Sequence, residues 1–245
     1  MSQERKRVVI VTGASRGLGR SIALRFGEAG NRIVVNYKTR NREAADVVEE
    51  ILSSGSEAFA FRADVGIDSE VDAMIHDTVK RWGMLDVLIN NAGITRDALV
   101  LRMSEGDWDD VITTNLKGAF HCVRAASRIM SEQRAGHIIS VSSIVGMQGR
   151  EGQANYSASK AGIFGLTKAC AGELGRYDVK INAVLPGYLP TDMAVALSPA
   201  MEDRILHENV LQRGNDPKEV AEFIYRLSCM NNVSGQIFNL DSRIL

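Results

Sequence analysis

The 245-residue chain is predicted to fold as an α/β protein: one domain over residues 1–245, built on a doubly wound parallel sheet of about seven strands with helices on both faces. Three observations carry that expectation. Short apolar runs alternate with amphipathic stretches along the chain, the pattern of a sheet covered on both faces. The first run, Val8 to Val11, has no polar residue and leads straight into a glycine-rich turn and a helix. No linker, internal repeat or low-complexity tract divides the sequence, and its length suits one well-buried core.

Composition narrows the function classes. With 45% hydrophobic and 24% charged residues and a net charge of −1, nothing points to a nucleic-acid or membrane partner. Cys122, Cys170 and Cys229 are scattered and form no CxxC, which fits buried thiols in a reducing compartment. His76, His121, His137 and His207 make neither HxxxH nor HExxH, so no metal site is expected. Residues Met1 to Arg7 are polar and basic, unlike a secretory signal core, and no apolar run approaches the roughly 20 residues that span a bilayer. A soluble, cytoplasmic protein is expected.

The elements follow in order. After Val8–Val11 comes Thr12-Gly13-Ala14-Ser15-Arg16-Gly17-Leu18-Gly19, then a helix from about Arg20 to Ala29. A strand, a glycine turn and a helix form a phosphate-binding design, because glycines let backbone approach closely and a helix N-terminus offers unpaired N–H groups. A dinucleotide is the expected ligand. Arg32 to Asn36 reads as the second strand, where a terminal carboxylate would bind an adenosine ribose and favour NAD. Here the strand runs into Asn36-Tyr37-Lys38-Thr39-Arg40 with no acid, and Arg16 adds a guanidinium, so NADP(H) is expected. A helix over Asn41 to Leu52, a strand over Ala58 to Arg62, a helix over Asp68 to Trp82 capped by Asp68 or Ser69, and a strand over Leu85 to Ile89 follow. Asp64 and Val65 follow the third of these strands, and Asn90-Asn91-Ala92-Gly93 follow the fourth, where open α/β sheets place ligands.

A helix starts at Ser104, with Ser104 and Asp107 in a capping arrangement, and Asn115 lies in the apolar stretch that follows. A buried helical amide needs partners, so Asn115 is either a satisfied core group or part of a site. His137 to Ser142 is the fifth strand; Gly146, Gly149 and Gly152 then suggest a flexible substrate lip. A helix over Ala154 to Gly175 carries Tyr156 and Lys160 one turn apart on one face. A cation beside a phenol lowers its ordinary pKa of about 10, which suits a general acid near neutral pH. Ala158, Ala161, Gly162, Gly165 and Ala169 on this helix imply either a subunit interface or a crowded core. Val179 to Leu185 is the sixth strand, ending in Pro186-Gly187-Tyr188-Leu189-Pro190-Thr191. Thr191 to about Gln212 reads as a mobile lid, Asp216-Pro217 opens a helix to about Met230, and Gln236 to Leu240 is the last strand.

Taken together, Thr12-Gly13-xxx-Gly17-x-Gly19, Asp64, Asn90-Asn91-Ala92-Gly93, Asn115, Ser143, Tyr156-xxx-Lys160 and Pro186-Gly187 resemble the short-chain dehydrogenase/reductases, in order and at the family's spacing over nearly the whole chain. The resemblance implies a Rossmann-type fold. Gly152-Gln153-Ala154-Asn155-Tyr156 and Asn182-Ala183-Val184-x-Pro186-Gly187 look most like the branch that reduces 3-oxoacyl thioesters on acyl carrier protein with NADPH, usually as homotetramers. By that resemblance Tyr156 is the proton donor, Lys160 lowers its pKa and holds the nicotinamide ribose, Ser143 orients the carbonyl, and Asn115 holds a relay water. Ser142 is the rival to Ser143, but neighbouring strand residues face opposite sides, so only one should reach the site. The implied cofactor set is Thr12, Gly13, Ser15, Arg16, Gly17, Leu18, Gly19, Lys38, Thr39, Asp64, Val65, Asn91, Ala92, Gly93, Tyr156, Lys160, Pro186, Gly187, Leu189 and Thr191.

Two segments depart from the family pattern. Asp241 is followed by Ser242-Arg243 where a glycine pair is usual, and the lid region reads Val210-Leu211-Gln212-Arg213. Both bear on subunit contacts and substrate choice. Arg134, Arg176 and Lys180 are candidates for a basic surface that docks an acidic carrier protein. Two competing readings are an alcohol, sugar or ketone dehydrogenase of the same fold, and a nucleotide-sensing protein without chemistry; the full set of Asn115, Ser143, Tyr156 and Lys160 argues against the latter.

Overall fold

Strand β1 (Val8–Val11) runs through the middle of the sheet with all four residues fully buried, because side chains on both of its faces meet helices. The computed structural model describes residues 5–190 and 199–243. Six more strands join β1: β2 (Arg32–Tyr37), β3 (Glu57–Arg62), β4 (Val87–Asn90), β5 (Gly136–Val141), β6 (Val179–Leu185) and β7 (Ile237–Asn239). Their order is β3-β2-β1-β4-β5-β6-β7, and every pairing is parallel. The direction of winding reverses between β1 and β4, so a crevice opens there at the C-terminal edge of the sheet.

The two-residue period of β1 divides the core. Val9 and Val11 pack with Ile22 and Phe26 of α1 (Gly17–Glu28), Val47 and Ile51 of α2 (Asn41–Ser53), and Ile224 of α9 (Pro217–Leu227). Val8 and Ile10 face the other layer, with Met74 of α3 (Asp68–Trp82), and Cys122 and Met130 of α5 (Gly118–Gln133). Helix α7 (Ala154–Leu174) packs in this second layer through Leu166, Cys170 and Leu174, and α4 (Glu105–Ile112), a short α6 (Val145–Gln148) and α8 (Pro199–Glu208) complete the helices among the described residues. Among the described residues no helix is long and apolar enough to cross a membrane.

Several expectations are corrected. Helix α1 begins at Gly17, three residues before the predicted start, so its first-turn N–H groups belong to the glycine loop itself. Asp68 does not cap α3; its carboxylate pairs with Arg124 of α5, and Ile67 holds the cap position. The predicted caps at Ser104 and Asp216 are present: Ser104 Oγ accepts from Asp107 N at 3.0 Å, and Asp216 Oδ1 accepts from Lys218 N at 2.8 Å. The segment expected to be a flexible lip contains α6, and Gly146 in it is a close-packing residue, since a Cβ there would lie 2.7 Å from the backbone of Lys160 and Ala161. Of the small residues of α7, Gly162 fits the crowded-core reading. A Cβ on Gly162 would meet Leu116 at 2.6 Å, whereas Ala161, Gly165 and Ala169 are exposed.

Arg134, Arg176 and Lys180 precede or begin β5 and β6 at the N-terminal edge of the sheet, where Arg134 donates to the Arg176 carbonyl at 3.1 Å and Lys180 pairs with Asp178 at 2.7 Å. In an all-parallel sheet that edge is opposite the crevice, so the expected basic docking surface does not border it.

Candidate active site

The glycine loop is held by side chains from the ends of two strands, β2 and β4. Gly13, at φ +62°, donates its N–H to Asn36 Oδ1 at 3.1 Å. Asn91 Nδ2 donates to the carbonyls of Thr12 at 2.9 Å and Gly13 at 3.2 Å. A Cβ on Gly13 would lie 2.9 Å from Ala92 Cα, and one on Gly19 would lie 2.4 Å from Asn91 Nδ2 and from the Gly13 carbonyl, so only glycine fits at either position.

A cleft of about 400 Å³ opens above this loop. Its walls include Gly13, Ser15, Arg16, Gly17, Leu18 and Gly19 of the loop, and Lys38, Thr39, Asp64 and Val65 beyond β2 and β3. Asn91, Ala92 and Gly93 follow from β4, then Ser143, Tyr156 and Lys160, then Pro186, Gly187 and Leu189 after β6. Thr12 lies beneath the lining: 1% exposed, its Oγ1 accepts from the N–H groups of Asn91 and Ala92 at 2.9 and 3.0 Å and so ties β1 to β4. Thr191, and with it most of the expected lid before α8, lies outside the described residues.

On the rim, Lys38 Nζ pairs with Asp64 Oδ2 at 2.6 Å. Burial raises the Asp64 pKa, but Lys38 and the Gly66 N–H outweigh it, and the carboxyl sits below its usual value.

The side chains expected to react lie just beyond β5 and on α7. Ser142 is buried, and its hydroxyl donates to the Lys160 carbonyl at 2.8 Å; Ser143 lines the cleft beside Tyr156, and its hydroxyl favours the phenolate. Both serines border the cleft just beyond the end of β5, but the Ser142 hydroxyl is spent on the Lys160 carbonyl, which leaves Ser143 as the one beside Tyr156. Lys160 Nζ donates to the Val141 carbonyl at 2.8 Å and stands 5.7 Å from the centre of the Tyr156 ring.

The expected lowering of the tyrosine does not appear. Burial pushes Tyr156 up to about 12, the Ser143 hydrogen bond opposes the rise, and the Asp97 carboxylate adds to it. Burial also brings Lys160 down to about 8. Both shifts disfavour the charged forms, as a closed apolar setting dictates.

Asn115 sits in a π-helical turn, Thr113–Lys117, inserted between α4 and α5. Such turns bulge a helix and are frequent at functional sites. Its side chain is fully committed: Oδ1 accepts from Ile94 N at 2.8 Å, and Nδ2 donates to the Ile94 carbonyl at 3.0 Å and to Ser159 Oγ at 3.2 Å. Beside it is a cavity of about 10 Å³ lined by Asn90, Asn115 and Lys160, room for about one water.

Three residues that build the site were not singled out as site residues from the sequence. Asn155, fully buried, donates to the carbonyls of Arg96 at 2.9 Å and Asp107 at 3.1 Å and accepts from Tyr156 N at 2.7 Å, fixing the start of α7. Ser159 joins the Tyr156 carbonyl to Asn115. Arg243, in the departing C-terminal segment, reaches the cleft wall while held by Asp241 through Nε at 2.8 Å and Nη2 at 2.5 Å. Polar residues on either side of Tyr156 were the available signal for the first two; Arg243 left none, because its position depends on a fold-back past β7.

The short chain dehydrogenase family model matches residues 7–202. The chain belongs to the short-chain dehydrogenases. It is 49% identical over 215 residues to the 3-oxoacyl-(acyl-carrier-protein) reductase FabG of Staphylococcus aureus, covering 88% of this chain and 87% of that one. The Staphylococcus epidermidis protein of the same name is 48% identical over the same length. A 3-oxoacyl-(acyl-carrier-protein) reductase from Synechocystis is 46% identical over 237 residues, covering 96% of this chain and 95% of its own. Among the described residues no group of His, Cys, Asp and Glu could hold a metal ion.

Proposed function

We propose that this short-chain dehydrogenase reduces 3-oxoacyl thioesters to 3-hydroxyacyl thioesters with NADPH, in fatty acid biosynthesis, on acyl carrier protein or coenzyme A. The observation that carries the reading is that Ser143, Tyr156 and Lys160 line the same cleft that the glycine loop borders. Relatives aligned over 88–96% of the chain bear the name of that activity.

The residues present fit a dinucleotide. The Gly13 and Gly19 positions leave no room for a Cβ, so backbone N–H groups come close to the cleft surface at the N-terminus of α1, where an anion is favoured. NADPH is preferred to NADH because Asn36, at the end of β2, is buried and spends its side chain on Gly13, Phe61 and Ala63, while Lys38, Thr39 and Arg16 border the cleft. When bound, the nicotinamide supplies the hydride. Tyr156, kept protonated by burial, supplies the proton to the developing alkoxide, and Ser143 holds the carbonyl oxygen within reach of it. Donors already aimed at that oxygen stabilise the transition state more than the ground state. Lys160 is anchored by Val141 at the foot of the pair, and Ser159 and Asn155 hold the helix backbone that carries Tyr156. The exposed Ala161, Gly165 and Ala169 of α7, with half-exposed Phe120 of α5, support a homotetramer.

Initial-rate oxidation of NADPH with acetoacetyl-coenzyme A, beside an NADH control, tests the activity and the cofactor. Selective NADPH consumption is expected, and Tyr156→Phe should lose about 10²–10⁴-fold in kcat with NADPH affinity intact. Undiminished turnover in that variant would remove Tyr156 from the chemistry; equal affinity for NADH would defeat the cofactor reading.

A further inference from the structure

Cations border the cleft at several points, and some of them face a carboxylate. Lys38 pairs with Asp64, and Arg243 with Asp241. Arg150 differs. It lines the cleft six residues before Tyr156, is half-buried, and among the described residues its guanidinium has no hydrogen bond or ion pair. The nearby carboxylate, Asp97, is engaged by Gln153 Nε2 at 2.8 Å. The backbone that carries Arg150 is fixed: Gln153 N donates to the Arg150 carbonyl at 3.1 Å, and Ala98 N donates to Gly152 O at 2.9 Å.

A second group stands unsatisfied next to it. Gln153 is 7% exposed and lines the same cleft, and its Oε1 has no partner among the described residues. The amide orientation is set by Asp97, because a carboxylate accepts and only the NH₂ end can face it. Oε1 is therefore the atom left over. A buried carbonyl oxygen without a partner costs free energy until a ligand pairs it, and a half-buried guanidinium on the same wall offers an anion a charge-assisted bond.

We propose that Arg150 and Gln153 form a substrate-anchoring subsite, in which Arg150 binds an oxyanion carried by the thioester and Gln153 Oε1 accepts from an amide N–H. The inference rests on the reductase reading and names the substrate chemistry that site selects. A pantetheine arm offers amides and a phosphate together; a carboxylate at the far end of the acyl chain offers the same anionic chemistry from the other side. A simple neutral ketone or alcohol satisfies neither group.

The test compares wild type with Arg150→Gln and Arg150→Lys on three substrates: acetoacetyl-coenzyme A, neutral acetoacetyl-N-acetylcysteamine, and 3-oxoadipyl-N-acetylcysteamine with its free carboxylate. In Arg150→Gln the KM for acetoacetyl-coenzyme A should rise about tenfold or more, the loss of one charge-assisted hydrogen bond, with kcat within about twofold. The neutral thioester should be unaffected, and Arg150→Lys should recover most of the loss. A rise confined to the 3-oxoadipyl substrate would support the subsite and assign the anion to the acyl chain. Equal changes on all three substrates, or no change on any, would overturn the proposal while leaving the reductase reading in place. If wild type turns over none of the three, the reductase reading fails and the subsite fails with it. Arg150 makes no side-chain bond, so melting temperatures should match; Gln153 is left unaltered because it also positions Asp97 near Tyr156.

Discussion

Replacing Gly19 by alanine tests how the cofactor loop is built. The added Cβ would lie 2.4 Å from the Gly13 carbonyl oxygen and 2.4 Å from Asn91 Nδ2, about 1 Å inside ordinary van der Waals contact. Asn91 cannot swing aside without giving up its bonds to the Thr12 and Gly13 carbonyls. The loop backbone therefore moves. Overpacking of this kind costs about 1–3 kcal/mol of stability, roughly 2–4 °C in Tm per kcal/mol for a chain this size. Displaced N–H groups lose charge-assisted bonds to a phosphate worth about 1.5–3 kcal/mol each, or roughly 10–150-fold in Kd. Fluorescence titration with NADPH should show a Kd at least about tenfold weaker than wild type. Gly172→Ala is the control: Gly172 is exposed on α7 with nothing within 4 Å of the added carbon, so it should leave Kd unchanged and gain about 0.5–1 kcal/mol of stability. If Gly19→Ala binds NADPH as tightly as Gly172→Ala does and melts at the same temperature, the packing account of the loop is wrong.

Two further outcomes follow from buried groups. His137 in β5 is brought down to about 4 by burial and by the Lys180 ammonium, so between pH 6.5 and 4 the unfolded chain binds the proton that the folded chain refuses, and stability falls with pH by on the order of 3 kcal/mol. Urea unfolding of His137→Asn should show a correspondingly shallower acid loss than wild type; parallel pH curves would discount this histidine. Asn155→Ala leaves the Arg96 and Asp107 carbonyls and the Tyr156 N–H unpaired in the interior, a loss of about 3 kcal/mol and roughly 6–12 °C in Tm. Because the same bonds set the start of α7, kcat should drop more than the NADPH Kd rises; a change in Tm with kcat intact would make Asn155 purely structural.

Much of this protein was determined by sequence alone. An unbroken Val8–Val11, glycines at 13, 17 and 19, and alternating strand and helix patterns specify a parallel sheet with a loop at its switch point, since period and glycine placement are local properties of the chain. That only one of Ser142 and Ser143 serves the site was expected from strand alternation; the bond to the Lys160 carbonyl is what sets Ser142 aside. The tertiary structure decided what depends on contacts between distant segments. It turned the predicted depression of the Tyr156 pKa into a rise, because burial and the Asp97 carboxylate raise it while the lysine one turn away turns its ammonium to the Val141 carbonyl. It converted Gly146 from part of a flexible lip into a packing contact and committed Asn115 to Ile94 and Ser159. It put Arg134, Arg176 and Lys180 on the edge opposite the cleft, because parallel strands send all their N-termini one way. Arg243 and Arg150 carry the same charge in the sequence; only the fold gives one a carboxylate partner and leaves the other facing the cleft without one.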